Sequence, residues 1–387
     1  MNHSAASHTR SFRPILRLLL RGLLCVLLGW LHVEARSATV RPFEAGDRIC
    51  FLGDSITKGG SYHALLELFY ALRFPGRTME FFNCGVGGDR AKSMLGASSY
   101  RIETDVLSHR PTVITVMLGM NDVERALYAP ATWERDKAAR AAALETYRAS
   151  VKTLVQTLQK SGAHVILLSP TIYEESPLVE KKEGLTGINA ALASCARLLR
   201  EISQELHTDF VDVHTVMDAL NQAQQAKVPA FSITGDGQSW NDRVHPGPTG
   251  HFVIAHAVLS AQGVVPQAPA LPLPGQRVPG FSASEIPAPL LALAEERRRV
   301  GEELRETATF RYAMVKEGLD PTDSAFGEWL KEKRTAIERV GRTAPWLDRA
   351  LRVLEKEKEL ERRCESLSVE IREKAASLAV RPAGNGR

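Results

Sequence analysis

The chain has 387 residues, of which 44% are hydrophobic and 24% charged, and it carries five cysteines and a formal net charge of +4 at pH 7. Residues 1–35 hold four arginines and one glutamate, so a chain without them carries +1, and the overall basicity gives no argument for a nucleic-acid partner. The four cysteines beyond that segment, Cys50, Cys84, Cys195 and Cys364, are too few and too scattered for a disulfide-dense scaffold.

The N-terminus reads as a targeting segment. Arg10, Arg13, Arg17 and Arg21 precede the apolar run Gly22 to Leu31, and Val33-Glu34-Ala35 offers small residues where a signal peptidase cuts. The run is shorter than the roughly twenty residues of a spanning helix. Residues 1–35 are therefore expected to leave as a signal peptide, giving a secreted or periplasmic protein with no stable membrane span; an uncleaved anchor is the alternative. Cys25 follows two leucines with no small residue before it, so it belongs to the signal's core and is no lipid site.

Beyond the signal, apolar runs at Ile49–Leu52, Met79–Phe82, Val113–Leu118, Val165–Leu168 and Phe210–Val213 alternate with helical patterns that include Ala138–Gln159, Ile188–Glu205 and Thr249–Ser260. Continuous apolar strands alternating with helices predict an α/β fold with a parallel sheet covered on both faces. Cys50 and Cys84 fall on or just after neighbouring strands, as a pair or as small buried thiols.

Three of the strands end in chemistry-bearing turns. The first leads into Gly53-Asp54-Ser55, which places a hydroxyl where the chain must turn. The second leads into Asn83-Cys-Gly-Val-Gly-Gly-Asp-Arg90, where a bare N–H, that of Gly88, can face a site. The third leads into Gly119-Met-Asn-Asp122, which puts the Asn121 amide at a strand end. Ligands of open parallel sheets gather outside the strands' carboxyl ends. Downstream, Asp242-Arg-Val-His-Pro246 offers a carboxylate and an imidazole three residues apart in one loop.

A serine hydroxyl is a weak nucleophile at neutral pH and needs a base, which in turn needs a partner to hold its tautomer. Ser55, His245 and Asp242 supply the three roles, with the Gly88 N–H and the Asn121 amide as oxyanion donors. Each block alone has a plainer explanation. Gly-Asp-Ser favours turns for local reasons, and Asn-Asp can cap a helix. The run Gly85 to Arg90 has Arg90 in the third glycine position of a dinucleotide fingerprint and no Gly-Lys-Ser/Thr after it, which argues against a nucleotide cradle. His251 and His256, five apart on a helix, point about 140° from each other. No metal-ligand spacing of His or Cys is present either, so neither metal nor cofactor is expected.

The four blocks in order resemble those of the SGNH hydrolases of the GDSL esterase/lipase superfamily: Ser55 in Gly-Asp-Ser, Gly88, Asn121 in Gly-x-Asn-Asp, and His245 in Asp-x-x-His-Pro. The resemblance spans Arg48 to Val265. It implies a three-layer α/β/α, flavodoxin-like fold with about five parallel strands, and activity without metal or cofactor. It also implies an oxyanion hole from the Ser55 N–H, the Gly88 N–H and the Asn121 amide, with Asp242 and His245 completing the triad. The chain departs from the family pattern at Ile56, where the family name has Leu, and at Gly87-Gly88, where Gly87 becomes the donor if the turn is shifted by one.

The predicted organisation is a signal peptide (1–35), a hydrolase domain (36–265), a proline-rich linker (266–289) and a helical extension (290–387). Within the extension, helices are read at Leu290–Lys316, with Val300, Leu304 and Ala308 on one face; around Phe326, Trp329, Leu330, Ile337 and Val340; and from Leu347 to Ile371. The apolar seam breaks at Glu355–Glu359, against a long coiled coil. The extension is expected as a hairpin or bundle, a self-association arm or a cover on the catalytic domain, with a solvated appendage the plainest form.

The expected function is a secreted serine esterase acting on small-molecule or polysaccharide esters, leaning to short acyl groups such as O-acetyl. The alternatives are an O-acyltransferase, a lysophospholipase or thioesterase, and, in another class, an inactive binding or scaffold protein. The loops Tyr173–Gly187 and Gln222–Trp240 are candidates for the specificity pocket by position.

Overall fold

A computed structural model describes residues 40–95, 100–179, 184–234, 242–265, 287–316, 323–340, 343 and 345–379. The expected signal peptide, with Cys25, and linker residues 266–286 lie outside them. Five parallel strands, β1 (Arg48–Gly53), β2 (Glu80–Gly85), β3 (Val113–Met117), β4 (His164–Leu168) and β5 (Asp209–Val211), form one sheet in the order β2-β1-β3-β4-β5. Ile49, Cys50, Phe51 and Leu52 of β1 are wholly inaccessible, as are Val113 and Ile114 of β3. Such strands must be apolar on both faces, which is why the sequence shows runs instead of alternation.

The helices are α1 (Ser55–Lys58), α2 (Ser61–Arg73), α3 (Tyr100–Asp105), α4 (Lys137–Gln159), α5 (Ile188–Leu206), α6 (Val213–Gln225) and α7 (Pro248–Ala261). Right-handed crossovers put α2, which leads from β1 outward to β2, on the opposite face from α4 and α5, which lead the other way. The packing agrees: α2 lies against α7, and α4 against α5. The strand order reverses between β1 and β3, and in open parallel sheets the carboxyl ends at such a reversal are where a ligand crevice is expected.

Two differences from the sequence reading have local causes. The last run does not continue to Val213 as a strand, because the Asp212 side chain accepts the Thr215 N–H and starts α6 instead. The second strand runs on to Gly85 because its register with β1 continues from Arg48–Glu80 to Gly53–Gly85. Cys50, Cys84, Cys195 and Cys364 are free thiols.

Three further helices follow, α8 (Ala288–Lys316), α9 (Asp323–Arg339) and α10 (Pro345–Ala379). They lie on the α/β domain instead of extending from it. Leu290, Ala294, Ile371 and Ala375 are buried in the same core as the sheet, while Phe326, Trp329, Leu330, Leu347 and Ala350 form a second, smaller core. This explains α2, whose sequence is apolar nearly all round: α7 covers one side and α10 another, and even Glu67 is buried, paired with Arg297 of α8 at 3.0 Å. Val340, expected on an apolar face, is 70% exposed. The Glu355–Glu359 run does not interrupt α10. Among the described residues no helix is long and apolar enough to cross a membrane.

Candidate active site

The end of β1 is built for a sharp turn. A Cβ on Gly53 would stand 2.2 Å from Thr57 Oγ1 and 2.8 Å from the Met117 carbonyl oxygen, so only glycine fits between α1 and β3. Asp54 then caps α1, its carboxylate accepting the Ile56 N–H at 2.9 Å. Ser55 becomes the first helical residue at the crevice. Burial pushes the Asp54 carboxyl up to about 6, against the downward pull of the Ile56 N–H and the charge of His245.

The loop before α7 brings the other two groups. His245 Nε2 lies 2.8 Å from Ser55 Oγ, and His245 Nδ1 lies 2.7 Å from Asp242 Oδ2. The second carboxylate oxygen of Asp242 accepts the N–H groups of Val244 and His245 at 2.9 and 2.8 Å, closing a tight local turn. Burial alone would raise this carboxyl. The hydrogen bonds from the His245 ring and the two N–H groups outweigh it and hold Asp242 at about 2. Between the two residues, the buried Arg243 points the other way and donates to the carbonyl oxygens of Glu174, Ser176 and Val179, pinning the loop. The Arg243 carbonyl oxygen accepts the Glu174 N–H in return.

The two remaining turns face the same crevice. Gly88 adopts a left-handed backbone, φ 78°, with open space where a Cβ would stand. Asn121 Nδ2 donates to the Asp89 carbonyl oxygen at 3.0 Å, and Arg125 holds that turn through the Met120 carbonyl oxygen at 2.8 Å. Asp122 accepts the Ala91 N–H at 2.9 Å, tying the third turn to the second. Its other oxygen is buried without a hydrogen-bond partner, and burial pushes this carboxyl up to about 7. The structure thus brings Ser55, His245 and Asp242 into one hydrogen-bonded chain and sets Gly88 and Asn121 on the neighbouring strand ends.

Sequence reasoning passed over the arginines. Arg101 on α3 is 1% exposed and donates to Asp89 Oδ2 at 2.6 Å, to Asp105 Oδ2 at 3.1 Å and to the Cys84 carbonyl oxygen at 2.6 Å. Its spacing to Asp105, four residues on, was the available signal. Arg243 carried none beyond its place between Asp242 and His245.

Gln222–Gln225 of the second expected specificity loop are the end of α6, and Glu174 of the first accepts through Oε2 from Asn221 and Gln225 of that helix, each at 3.0 Å; residues 180–183 and 235–240 of the expected loops lie outside the described set. His251 and His256 are both buried, His251 stacked on Tyr62. Among the described residues no group of three or more His, Cys, Asp or Glu could hold a metal.

The family model of the GDSL-like lipase/acylhydrolases matches residues 51–252, more than half of the chain, and takes in all four blocks. The chain belongs to the GDSL-like lipase/acylhydrolase family. Membership makes it a carboxylic ester hydrolase. Among the relatives of this GDSL-like hydrolase, an acetylxylan esterase of Geobacillus stearothermophilus is 26% identical over 235 residues, which is 57% of this chain and 95% of that protein. A gut microbial diltiazem-metabolizing enzyme superposes with a TM-score of 0.72 at 23% identity, covering 87% of this chain and 97% of its own. That coverage exceeds residues 40–265, so the shared fold reaches into the C-terminal helices.

Proposed function

We infer that this hydrolase is a secreted or periplasmic serine esterase that removes short acyl groups, O-acetyl groups on polysaccharide in particular, through an acyl-enzyme on Ser55. The observation that carries it is the chain of contacts from Ser55 Oγ through His245 to Asp242, at 2.8 and 2.7 Å. His245 Nε2 takes the Ser55 proton as Oγ attacks the ester carbonyl, and Asp242 stabilises the imidazolium. The Ser55 N–H, the Gly88 N–H and the Asn121 amide receive the negative charge that develops on the carbonyl oxygen. Collapse expels the alcohol with the proton from His245. Water then attacks the acyl-Ser55 ester with His245 again as base, and His245 returns that proton to Ser55 Oγ as the C–Oγ bond breaks and the acid leaves.

The Ser55–His245 contact gives no support to an inactive scaffold, in which the two groups would stand apart. The acetyl reading draws support from the acetylxylan esterase relative, and secretion from the arginine-flanked apolar run before Ala35. The test is hydrolysis of nitrophenyl esters from acetate to octanoate, with release of acetate from acetylated xylan measured beside them. Rates that fall with chain length and measurable acetate release are expected. A preference for octanoate would move the reading to lysophospholipid or thioester substrates.

A further inference from the structure

The extension does more than cover the sheet edge, because α8 meets both turns that carry the proposed nucleophile and oxyanion donor. Arg298 Nη1 donates to the Gly59 carbonyl oxygen at 2.7 Å, and Glu306 pairs with Lys58, the last residue of α1, at 3.2 Å. Arg305 Nε donates to the Gly85 carbonyl oxygen at 3.1 Å, and Ala308 packs on the buried Val86, the residue before Gly87-Gly88. Arg305 Nη2 also donates to Asp105 at 2.7 Å, and Asp105 accepts from Arg101. Arg101 in turn holds Cys84 and Asp89 on either side of the glycine turn, with a longer contact to the Gly53 carbonyl oxygen at 3.4 Å.

A continuous ionic path therefore runs from α8 to the carboxyl ends of β1 and β2. Burial alone would raise the Asp105 carboxyl, but the charges of Arg305 and Arg101 outweigh it and keep it below the usual carboxylate range. Arg297, also on α8, lies away from the path, donating to the Phe81 carbonyl oxygen in mid-strand and pairing with Glu67, so that it touches neither turn.

We propose that the C-terminal extension is a positioning element of the active site, in which Arg305, through Asp105 and Arg101, fixes the glycine turn of Gly88 against the Ser55 turn. This rests on the reading of Ser55 and Gly88 as nucleophile and oxyanion donor. Positioning acts on the transition state more than on substrate binding, and a displacement of about 1 Å costs on the order of a hundredfold in rate. Arg305 and Arg297, two arginines of one helix, thus predict different kinetic effects.

The experiment compares Arg305→Gln, Arg305→Lys, Asp105→Asn and Arg297→Gln in the full chain, reading kcat and KM on nitrophenyl acetate alongside thermal midpoints. Arg305→Gln is expected to lower kcat by about tenfold to a hundredfold with KM within about twofold, and Arg305→Lys to recover part of it. Arg297→Gln is expected to lower the midpoint at least as far with kcat within about twofold. Equal kcat losses in Arg305→Gln and Arg297→Gln, or none in Arg305→Gln, would overturn the proposal. Should Arg305→Gln not fold, Asp105→Asn decides: a kcat loss at unchanged KM supports the proposal and unchanged kcat overturns it. Ser55→Ala separates the two levels, since activity retained there defeats the active-site reading, whereas activity lost there with kcat unchanged in Arg305→Gln defeats the positioning proposal alone.

Discussion

Arg101 Nη2 donates to the Cys84 carbonyl oxygen at 2.6 Å, so a wholly buried cation holds the end of the strand that leads into the glycine turn. Its other partners, Asp89 and Asp105, lie at 2.6 and 3.1 Å. Removing one member of such a set leaves uncompensated buried charge, at a cost of about 3–5 kcal/mol. Arg101→Met is therefore expected to lower the unfolding free energy by that amount in denaturant titration. A loss below about 1 kcal/mol would mean the network contributes little net stability.

Asn121→Ala removes the side-chain donor proposed for the oxyanion site while leaving Ser55, His245 and Asp242 in contact. The expected loss is about a hundredfold to a thousandfold in kcat with little change in KM, since the amide acts where charge develops. Steady-state kinetics on nitrophenyl acetate reads both. A rise in KM at constant kcat would make Asn121 a substrate-binding residue instead.

The Asp122 carboxyl is pushed up to about 7 by burial, and Asp54 to about 6. A carboxyl whose folded value lies above its unfolded one binds more protons when folded, so it opposes folding at high pH. That penalty is relieved as pH falls through the folded value and is gone below the unfolded value, near 4. Asp122→Asn keeps an oxygen for the Ala91 N–H and removes the ionisation. The thermal midpoint of the variant relative to the native protein is expected to improve from pH 5 to pH 8, and a constant difference would contradict the assignment.

Gly88 and Gly87 are adjacent, but of the two only Gly88 has a left-handed φ, at 78°. Alanine at 88 is expected to cost about 1–2 kcal/mol through the backbone. Alanine at 87 meets no heavy atom within 4 Å and should be nearly neutral. Thermal melts of the two variants decide, and equal losses would place the strain elsewhere.

The sheet was legible because buried parallel strands write themselves as apolar runs, and Val113–Leu118 and Val165–Leu168 lie within a residue of β3 and β4. The candidate residues of the site were legible because each follows a strand end or sits in the Asp-x-x-His loop, where local pattern and chemistry coincide. Arg101, Arg243 and Arg305 were not. An arginine reads as a solvated surface residue until the partners that bury it are known, and those partners lie far away in sequence, as Gly85 does from Arg305. The helix α2 carries a further signal: an apolar circumference implies a cover on every side, and α7 and the extension together supply it.

The central claim is that Ser55 and His245 act as one unit, and Ser55→Ala, His245→Ala and the double variant test it in one assay of acetate ester hydrolysis. Groups that share a step lose nearly everything at the first substitution, on the order of a millionfold in kcat, and nothing more at the second. The account predicts that all three variants fall to the same residual rate with native melting curves. Substantial activity in Ser55→Ala, or losses that add in the double variant, would contradict it.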